Sequence, residues 1–142
     1  MAKKLESELK VKVATACRIL AASGICSGVR AAVGHASARI PDTNLIVIKG
    51  RGYRNDALES MRPEDQLVVD LDCNIVSGPK GIAPAAEIKL YTHVYKTRPE
   101  VGGIVHVRIA GPLADQIARR RRAGGAPIRG RFPVMRPRPV RE

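Results

Sequence analysis

The composition of this chain changes abruptly after Val107, and that change limits where a hydrophobic core can form. Residues 108–142 hold ten arginines and no lysine against two acidic residues, and so carry two-thirds of the net charge of +12. Within this segment Arg119–Arg122 place like charges side by side, and four prolines follow Gly125. Such a composition buries too little apolar surface to fold. We therefore predict a disordered tail over 108–142 and one folded domain over 1–107.

Two segments show the spacing of amphipathic helices. Apolar side chains recur every three or four residues over 5–20, which predicts a helix that ends before Gly24. Ala85–Thr97 shows the same spacing, and it predicts a second helix. This helix must end near Thr97, because the residue before Pro99 is driven out of the helical region.

Short apolar runs rich in β-branched residues lie between and after these helices. They predict strands over 45–50, 67–71, 75–76 and 101–107. The stretch GVRAAVGHASARIPDTN runs through glycines into the turn signal Pro41-Asp42, and we assign it no strand. An order of helix, several strands, helix and strand predicts an α/β layer architecture.

Cysteine usage and the N-terminus bear on where the protein works. Cys17, Cys26 and Cys73 form an odd, widely spaced set without a Cys-x-x-Cys pair. Such a set suits a reducing cytosol better than a disulfide framework or a thiolate zinc site. The N-terminal MAKKLESELK lacks the apolar centre of a signal peptide, and no apolar run approaches the roughly 20 residues of a membrane span. We expect a cytoplasmic protein without a membrane partner.

The predicted strand over 101–107 delivers His106 near its end, followed two residues later by Arg108. Alternate side chains of a strand share a face, so these two side chains are expected to point the same way. A His-x-His pair at this spacing is a common metal clamp. A guanidinium has only donors and stays protonated, so Arg108 cannot bind a metal ion.

Four segments together resemble the first half of the class II aldolase/adducin family. They are GHASARIP, LIVIKGRGY, MRPEDQLVVDLD and AAEIKLYTHVYKTRPEVGGIVHV, and they follow one another in the family's order and spacing. The resemblance covers residues 8–107. Its most specific part is the interval from Glu87 to His106, with Tyr95 and Arg98-Pro99 between them.

The resemblance implies a fold and a chemistry. The fold is a class II aldolase-like α/β/α sandwich around a mixed sheet. In this chain we expect it to be truncated to its N-terminal half. Intact members form homo-oligomers. Members are metal-dependent carbon–carbon lyases, aldolases or decarboxylases, together with non-catalytic adducin-type relatives. Zinc, or manganese or another divalent ion, acts as a Lewis acid that stabilises an enolate, and a glutamate handles the proton. The expected substrates are small hydroxy or keto acids or sugar phosphates.

The resemblance also assigns roles to individual residues. Glu87 falls on the family's acid/base glutamate, and His106 on the first histidine of its metal pair. His35, Lys49 and Gly50 fall where relatives have substrate-binding groups. Without the resemblance, Glu87 would more often be a solvated glutamate near a helix N-terminus, where the helix dipole favours it. His106 would then be a structural strand histidine, His35 a turn histidine and Lys49 the lysine at a strand end.

Several positions depart from the family pattern. Arg108 occupies the second metal-ligand position, and the third ligand of the family is absent. Ala85-Ala86 replaces a serine pair that helps to hold phosphate in sugar-phosphate aldolases, which removes two hydroxyl donors. Tyr91 stands where many relatives have a histidine. The pattern of GH and IKGRGY without the serine pair looks closer to the family's decarboxylases, or aldolases, that act on carboxylate-bearing substrates, with Lys49 or Arg51 as the counter-charge.

Three functional interpretations follow. The first is a lyase-derived domain with impaired turnover, whose tail over 108–142 arises from a frameshift. The second is a non-catalytic, adducin-like assembly protein. The third is a basic nucleic-acid-binding protein that uses the arginine-rich tail. Three tyrosines, one phenylalanine and no tryptophan leave few platforms for base stacking, so we expect only non-specific binding to nucleic acid.

Overall fold

A computed structural model of the chain describes residues 2–23, 34–52 and 57–107. The predicted tail over 108–142, with Arg108, lies outside the described residues, and so does Cys26. The domain boundary after Val107 therefore stays a prediction.

The first helix, α1, spans Ala2–Ala22, as its apolar spacing predicts. Val13 and Cys17 are buried on the side that faces the sheet, and the rest of the apolar stripe is partly buried around them. Arg18 Nη1 donates a hydrogen bond of 2.7 Å to the carbonyl oxygen of Met61, which fastens the helix to a turn of the domain. Among the described residues, no helix has the length and apolarity needed to cross a membrane.

Six strands form one sheet in the described part of the chain. They are β1 (Gly34–Arg39), β2 (Leu45–Arg51), β3 (Gln66–Asp70), β4 (Ile75–Ser77), β5 (Ala83–Pro84) and β6 (Gly103–Val107). The strands lie in the order β4-β3-β2-β1-β6, and β5 pairs with the end of β2. Two 3₁₀ turns, Leu58–Ser60 and Pro63–Asp65, lead from β2 into β3.

Every strand pairing in the described residues is antiparallel. The expectation of a mixed sheet therefore does not hold for this part of the chain. The physical reason lies in the connections. Strands β1 to β4 follow one another as sheet neighbours, and the described residues between them contain no α-helix. Such neighbours pair antiparallel, whereas parallel neighbours need a long crossover.

Strand β1 is the strand that the sequence analysis did not assign. Its sequence, GHASAR, contains no β-branched or large aliphatic residue, so it lacks the usual strand signal. The strand forms because β2 and β6 pair with its two edges. Small side chains suit this central place, where Ala36 is buried beneath α1.

The second helix, α2, spans Ile88–Thr97 and begins three residues after the predicted start at Ala85. Ala83 and Pro84 are held in an extended conformation as β5, which delays the helix. Ile88, Tyr91 and Tyr95 are buried on the face of the sheet opposite α1. The two helices therefore enclose the sheet, and this confirms the three-layer sandwich.

Polar contacts fix α2 against β1. The hydroxyl groups of Ser37 and Tyr95 form a buried hydrogen bond of 2.9 Å. The Arg39 guanidinium donates to the carbonyl oxygens of Tyr95 and Val101. It also lies 4.9 Å from the centre of the Tyr95 ring, within the range of a cation–π interaction. The orientation of α2 on the sheet is thus set by directional contacts as well as by apolar packing.

Gly78 lies so close to Leu67 that a side chain at this position should disturb the core. An added Cβ would lie 2.2 Å from Cδ2 of Leu67, and the φ of Gly78 is +148°, which L side chains rarely adopt. Overpacking of this kind destabilises proteins by about 1–3 kcal/mol. We predict that Gly78→Ala lowers the free energy of unfolding by at least about 1 kcal/mol, measured by urea denaturation.

Gly102→Ala is the matched control, because an added Cβ there meets no atom within 4 Å. We expect it to change the free energy of unfolding by less than about 0.5 kcal/mol. Equal effects of the two substitutions would contradict the packing of Gly78 on Leu67.

Candidate functional site

Two histidines face each other across the β1–β6 pairing. His35 of β1 and His106 of β6 are direct register partners, so their side chains project from the same face of the sheet. Their ring centres are 5.5 Å apart, and the ring planes stand at 87°. His35 is fully buried, and His106 is partly buried. The antiparallel ladder thus joins residues that are far apart in sequence.

Glu87 brings a carboxylate to the same place. It lies immediately before α2, and its side chain makes no capping hydrogen bond to that helix. Its Oε2 lies instead 3.4 Å from Nε2 of His35. The Glu87 side chain is 29% exposed, so one side of it remains open to solvent. This orientation does not fit the interpretation of Glu87 as a solvated residue that only complements the helix dipole.

The environment of His35 favours the neutral imidazole. Burial lowers its pKa and outweighs the carbonyl of Gly34 and the carboxylate of Glu87, both of which raise it. A histidine whose pKa lies below its usual range is uncharged at neutral pH and keeps a lone pair for a metal ion. Neither ring nitrogen of His35, nor Nδ1 of His106, has a hydrogen-bond partner among the described residues.

Tyr91 supports His35 from the helix side. The two rings stack with their centres 5.5 Å apart, and the tyrosine hydroxyl donates a hydrogen bond of 3.2 Å to the carbonyl oxygen of His35. Burial raises the pKa of Tyr91, so the hydroxyl remains a donor at all physiological pH values. In sequence, Tyr91 stands out only as a departure from the family pattern. Its position one helical turn after Glu87 was the available signal of a place beside the site.

Lys49 and Gly50 occupy different positions relative to this group. By strand alternation Lys49 shares the face of Val47, which packs beneath α1, so its side chain starts on the opposite face from His35. Lys49 is nevertheless buried, and its positive charge contributes to the low pKa of His35. Gly50 pairs with Pro84 and so ties the end of β2 to the segment that leads into Glu87. Their substrate-binding roles stay predictions.

Arg51 lies on the same segment. Its Nε donates a hydrogen bond of 2.9 Å to the carbonyl oxygen of Pro84, while the residue as a whole is exposed. Ala85 is buried and Ala86 is exposed, and neither supplies a side-chain donor near Glu87. Arg51 therefore brings a guanidinium, held at its Nε, to the segment that leads into Glu87.

His35, Glu87 and His106 together satisfy a basic requirement for metal binding. Each offers one ligand atom, and these atoms lie within 4.8 Å of one another. The family resemblance indicates a metal role for His106 and a substrate-binding role for His35. The nearness of the two histidines comes from strand pairing, which leaves no mark in sequence spacing. Arg108, the other predicted position, lies outside the described residues.

Comparison with known proteins agrees with the resemblance seen in the sequence motifs. Residues 11–110 match the family described as class II aldolase and adducin N-terminal domain. The chain is 31% identical over 125 residues to a 3,4-dihydroxyphthalate decarboxylase from Arthrobacter keyseri, which covers 86% of this chain and 48% of that protein. It is 36% identical over 73 residues to an L-ribulose-5-phosphate 4-epimerase from Salmonella paratyphi C, covering 51% of this chain and 30% of that protein.

A solved structure shares the fold. An L-fuculose 1-phosphate aldolase from Glaciozyma antarctica superposes with a TM-score of 0.65 at 24% identity, covering 78% of this chain and 43% of the aldolase. This likeness confirms the class II aldolase-like fold. The chain thus spans less than half the length of these proteins. The match to the decarboxylase covers 86% of the chain, so it extends past Val107 into the segment predicted to be a tail.

The hydroxyl of Tyr91 should contribute to stability separately from its ring. Tyr91→Phe keeps the stack on His35 and removes the hydrogen bond to the His35 carbonyl oxygen. A typical intramolecular hydrogen bond contributes about 0.5–1.5 kcal/mol, whereas removal of a buried aromatic ring costs about 3–5 kcal/mol. We therefore predict, from chemical denaturation, a loss of about 1 kcal/mol for Tyr91→Phe and a severalfold larger loss for Tyr91→Ala. Similar losses for the two variants would contradict the packing of the ring.

Proposed function

Because the chain belongs to the class II aldolase and adducin family, we propose that it carries the metal-binding and proton-transferring part of a carbon–carbon lyase. Family members are generally dependent on a divalent metal ion, and the relatives identified above include enzymes. The activity of this chain is our proposal, since it spans about half the length of those relatives.

One observation carries this proposal: Glu87, His35 and His106 meet at one place although they come from three separate elements. Oε2 of Glu87 lies 3.4 Å from Nε2 of the buried His35, and the Glu87 side chain makes no capping hydrogen bond to the helix. Both ring nitrogens of His35 and Nδ1 of His106 lack a hydrogen-bond partner among the described residues, and a bound metal ion would supply one. The grouping therefore supports a lyase over an adducin-like role, and the homo-oligomer implied by the family remains part of the proposal.

The roles of the residues follow from their positions. His106 would hold a divalent ion such as zinc. The chemistry that such an ion supplies is Lewis-acid polarisation of a substrate oxygen, which stabilises the enolate left when a carbon–carbon bond breaks. Glu87 would accept or return the proton, because it is the partly exposed carboxylate of the group. Impaired turnover follows if the chain lacks the family's second and third ligands, and His35 lies close enough to His106 to offer a second histidine.

A carboxylate-bearing substrate suits the charges and donors around the site best. The Ala85-Ala86 pair offers no hydroxyl group to a phosphate, whereas Arg51 offers a guanidinium near the start of α2. A guanidinium pairs with a carboxylate through two parallel hydrogen bonds. The similarity to a dihydroxyphthalate decarboxylase supports the same choice. We propose decarboxylation or aldol cleavage of a small hydroxy acid, aliphatic or aromatic.

The role of Glu87 can be tested by turnover measurements on the full chain loaded with zinc or manganese, using a panel of hydroxy acids and sugar phosphates. We predict turnover of hydroxy acids, and a loss of kcat of at least about 100-fold in Glu87→Gln, because proton transfer by a placed carboxyl contributes about 10²–10⁴-fold. Glu8→Gln, on the exposed side of α1, is the matched control. Turnover of sugar phosphates alone would contradict the substrate class, and no turnover of either class would contradict a lyase.

Removal of metal gives an independent test of the proposed chemistry. Turnover should disappear after treatment with a chelator and return when a divalent ion is added, because the enolate then has its Lewis acid again. The circular dichroism of the treated protein serves as the control for unfolding. Full turnover in the presence of excess chelator would contradict a metal-dependent reaction.

A further inference from the structure

We propose that His35 is a metal ligand, so that His35, Glu87 and His106 form a site of two histidines and one carboxylate contained within this chain. The proposal rests on the proposed function, because it concerns the same site. It changes the role of His35, which the sequence analysis placed among the substrate-binding groups. It also supplies a histidine ligand that does not depend on Arg108 or on residues beyond it.

One separation in the group already equals the distance between two ligands of a metal ion, and the others lie within reach of it. Zinc binds histidine nitrogen at about 2.0–2.1 Å and carboxylate oxygen at about 2.0–2.2 Å, so two such ligands at a tetrahedral ion lie roughly 3.4 Å apart. Nε2 of His35 and Oε2 of Glu87 are 3.4 Å apart. The ligand atoms of all three residues lie within 4.8 Å. A turn of the partly exposed side chains of Glu87 and His106 can close the remaining gap to a metal-binding separation.

The burial of His35 gives a second, independent argument. The residue is 0% exposed, and both of its ring nitrogens lack a hydrogen-bond partner among the described residues. Buried polar atoms are rarely left without a partner, because the water they lose on folding must be replaced. A metal ion between His35, Glu87 and His106 would bind one of these nitrogens and an oxygen of the Glu87 carboxylate.

The same burial argues against direct contact between His35 and substrate. A side chain with no exposed surface cannot touch a small molecule unless the fold opens. Glu87 and His106 are partly exposed, so substrate can reach the site from their side. His35 would therefore bind the ion from the protein interior, whereas Glu87 and His106 would bind it from the side that is open to solvent. One oxygen of Glu87 can bind the ion while the other remains available for proton transfer.

The scaffold holds His35 firmly enough to act as a ligand. Its backbone lies in β1 between two paired strands, and its ring is stacked on Tyr91. Tyr91 also donates to the His35 carbonyl oxygen. A site held by regular elements is positioned more accurately than one held by loops. Two neutral imidazoles and one carboxylate leave a divalent ion with one net positive charge, which would attract an anionic substrate.

The three histidines of the chain make a direct test possible on the unmodified protein. They are His35, His93 and His106, and His93 is exposed on α2. The full chain, labelled with ¹⁵N in its histidine rings and freed of metal, is titrated with zinc. We expect the ring-nitrogen signals of His35 and His106 to shift together and to saturate at one equivalent, while the His93 signal, assigned with His93→Gln, does not move. A shift of His106 alone, a shift that includes His93, or no shift would overturn the proposal.

Variants add a measure of affinity. Loss of a residue that only supports a metal ligand weakens metal binding by up to about 100-fold. His35→Gln removes a ligand itself, so we expect it to weaken zinc binding by more than about 100-fold. His93→Gln should leave the affinity unchanged, and both variants are compared with the unmodified chain by circular dichroism. Unchanged affinity in a folded His35→Gln would overturn the proposal. If His35→Gln does not fold, the ring-nitrogen titration decides alone.

The outcomes also separate this inference from the proposed function. Zinc bound through both histidines in a chain that turns over no substrate would contradict the lyase and leave the metal site intact. Metal-dependent turnover in a chain whose His35 ring signals do not respond to zinc would contradict the role of His35 and leave the lyase intact.

Discussion

The antiparallel pairing of β1 with β6 is the constraint on which the candidate site depends. It sets His35 directly opposite His106 and directs both rings to the face that α2 covers. Because side chains alternate along a strand, a shift of this register by one residue would send one of the histidines to the other face. The position of β1 between β2 and β6 on the sheet protects it from such a shift.

The packing of α2 brings the carboxylate to these histidines. Tyr91 and Tyr95 are buried on one side of the helix, and each makes a hydrogen bond to β1, at the His35 carbonyl oxygen and the Ser37 hydroxyl. These contacts hold the start of the helix over the sheet, where Glu87 approaches His35. Apolar packing supplies most of the stability of such a layer, and the hydrogen bonds determine its orientation. The same contacts that stabilise the fold therefore position the site.

Local patterns predicted the parts of this structure whose signals are local. The apolar stripe of α1 and the β-branched runs of β2, β3 and β6 were sufficient to predict those elements, and the family motifs indicated Glu87 and His106. Strand β1 was not predicted because its small side chains have a low propensity for strands. Pairing with the neighbouring strands stabilises it instead. His35 was noticed, but its nearness to His106 follows from pairing between residues far apart in sequence. Strand alternation places Lys49 on the face of Val47, opposite His35, and its substrate-binding role stays a prediction.

We propose above that His35, Glu87 and His106 bind one divalent ion together. X-ray absorption at the zinc edge of the full chain, loaded with one equivalent of zinc, counts the imidazoles bound to the ion. We expect two imidazole nitrogens at about 2.0–2.1 Å together with carboxylate oxygen at a similar distance. A spectrum with one imidazole, or with none, would contradict it.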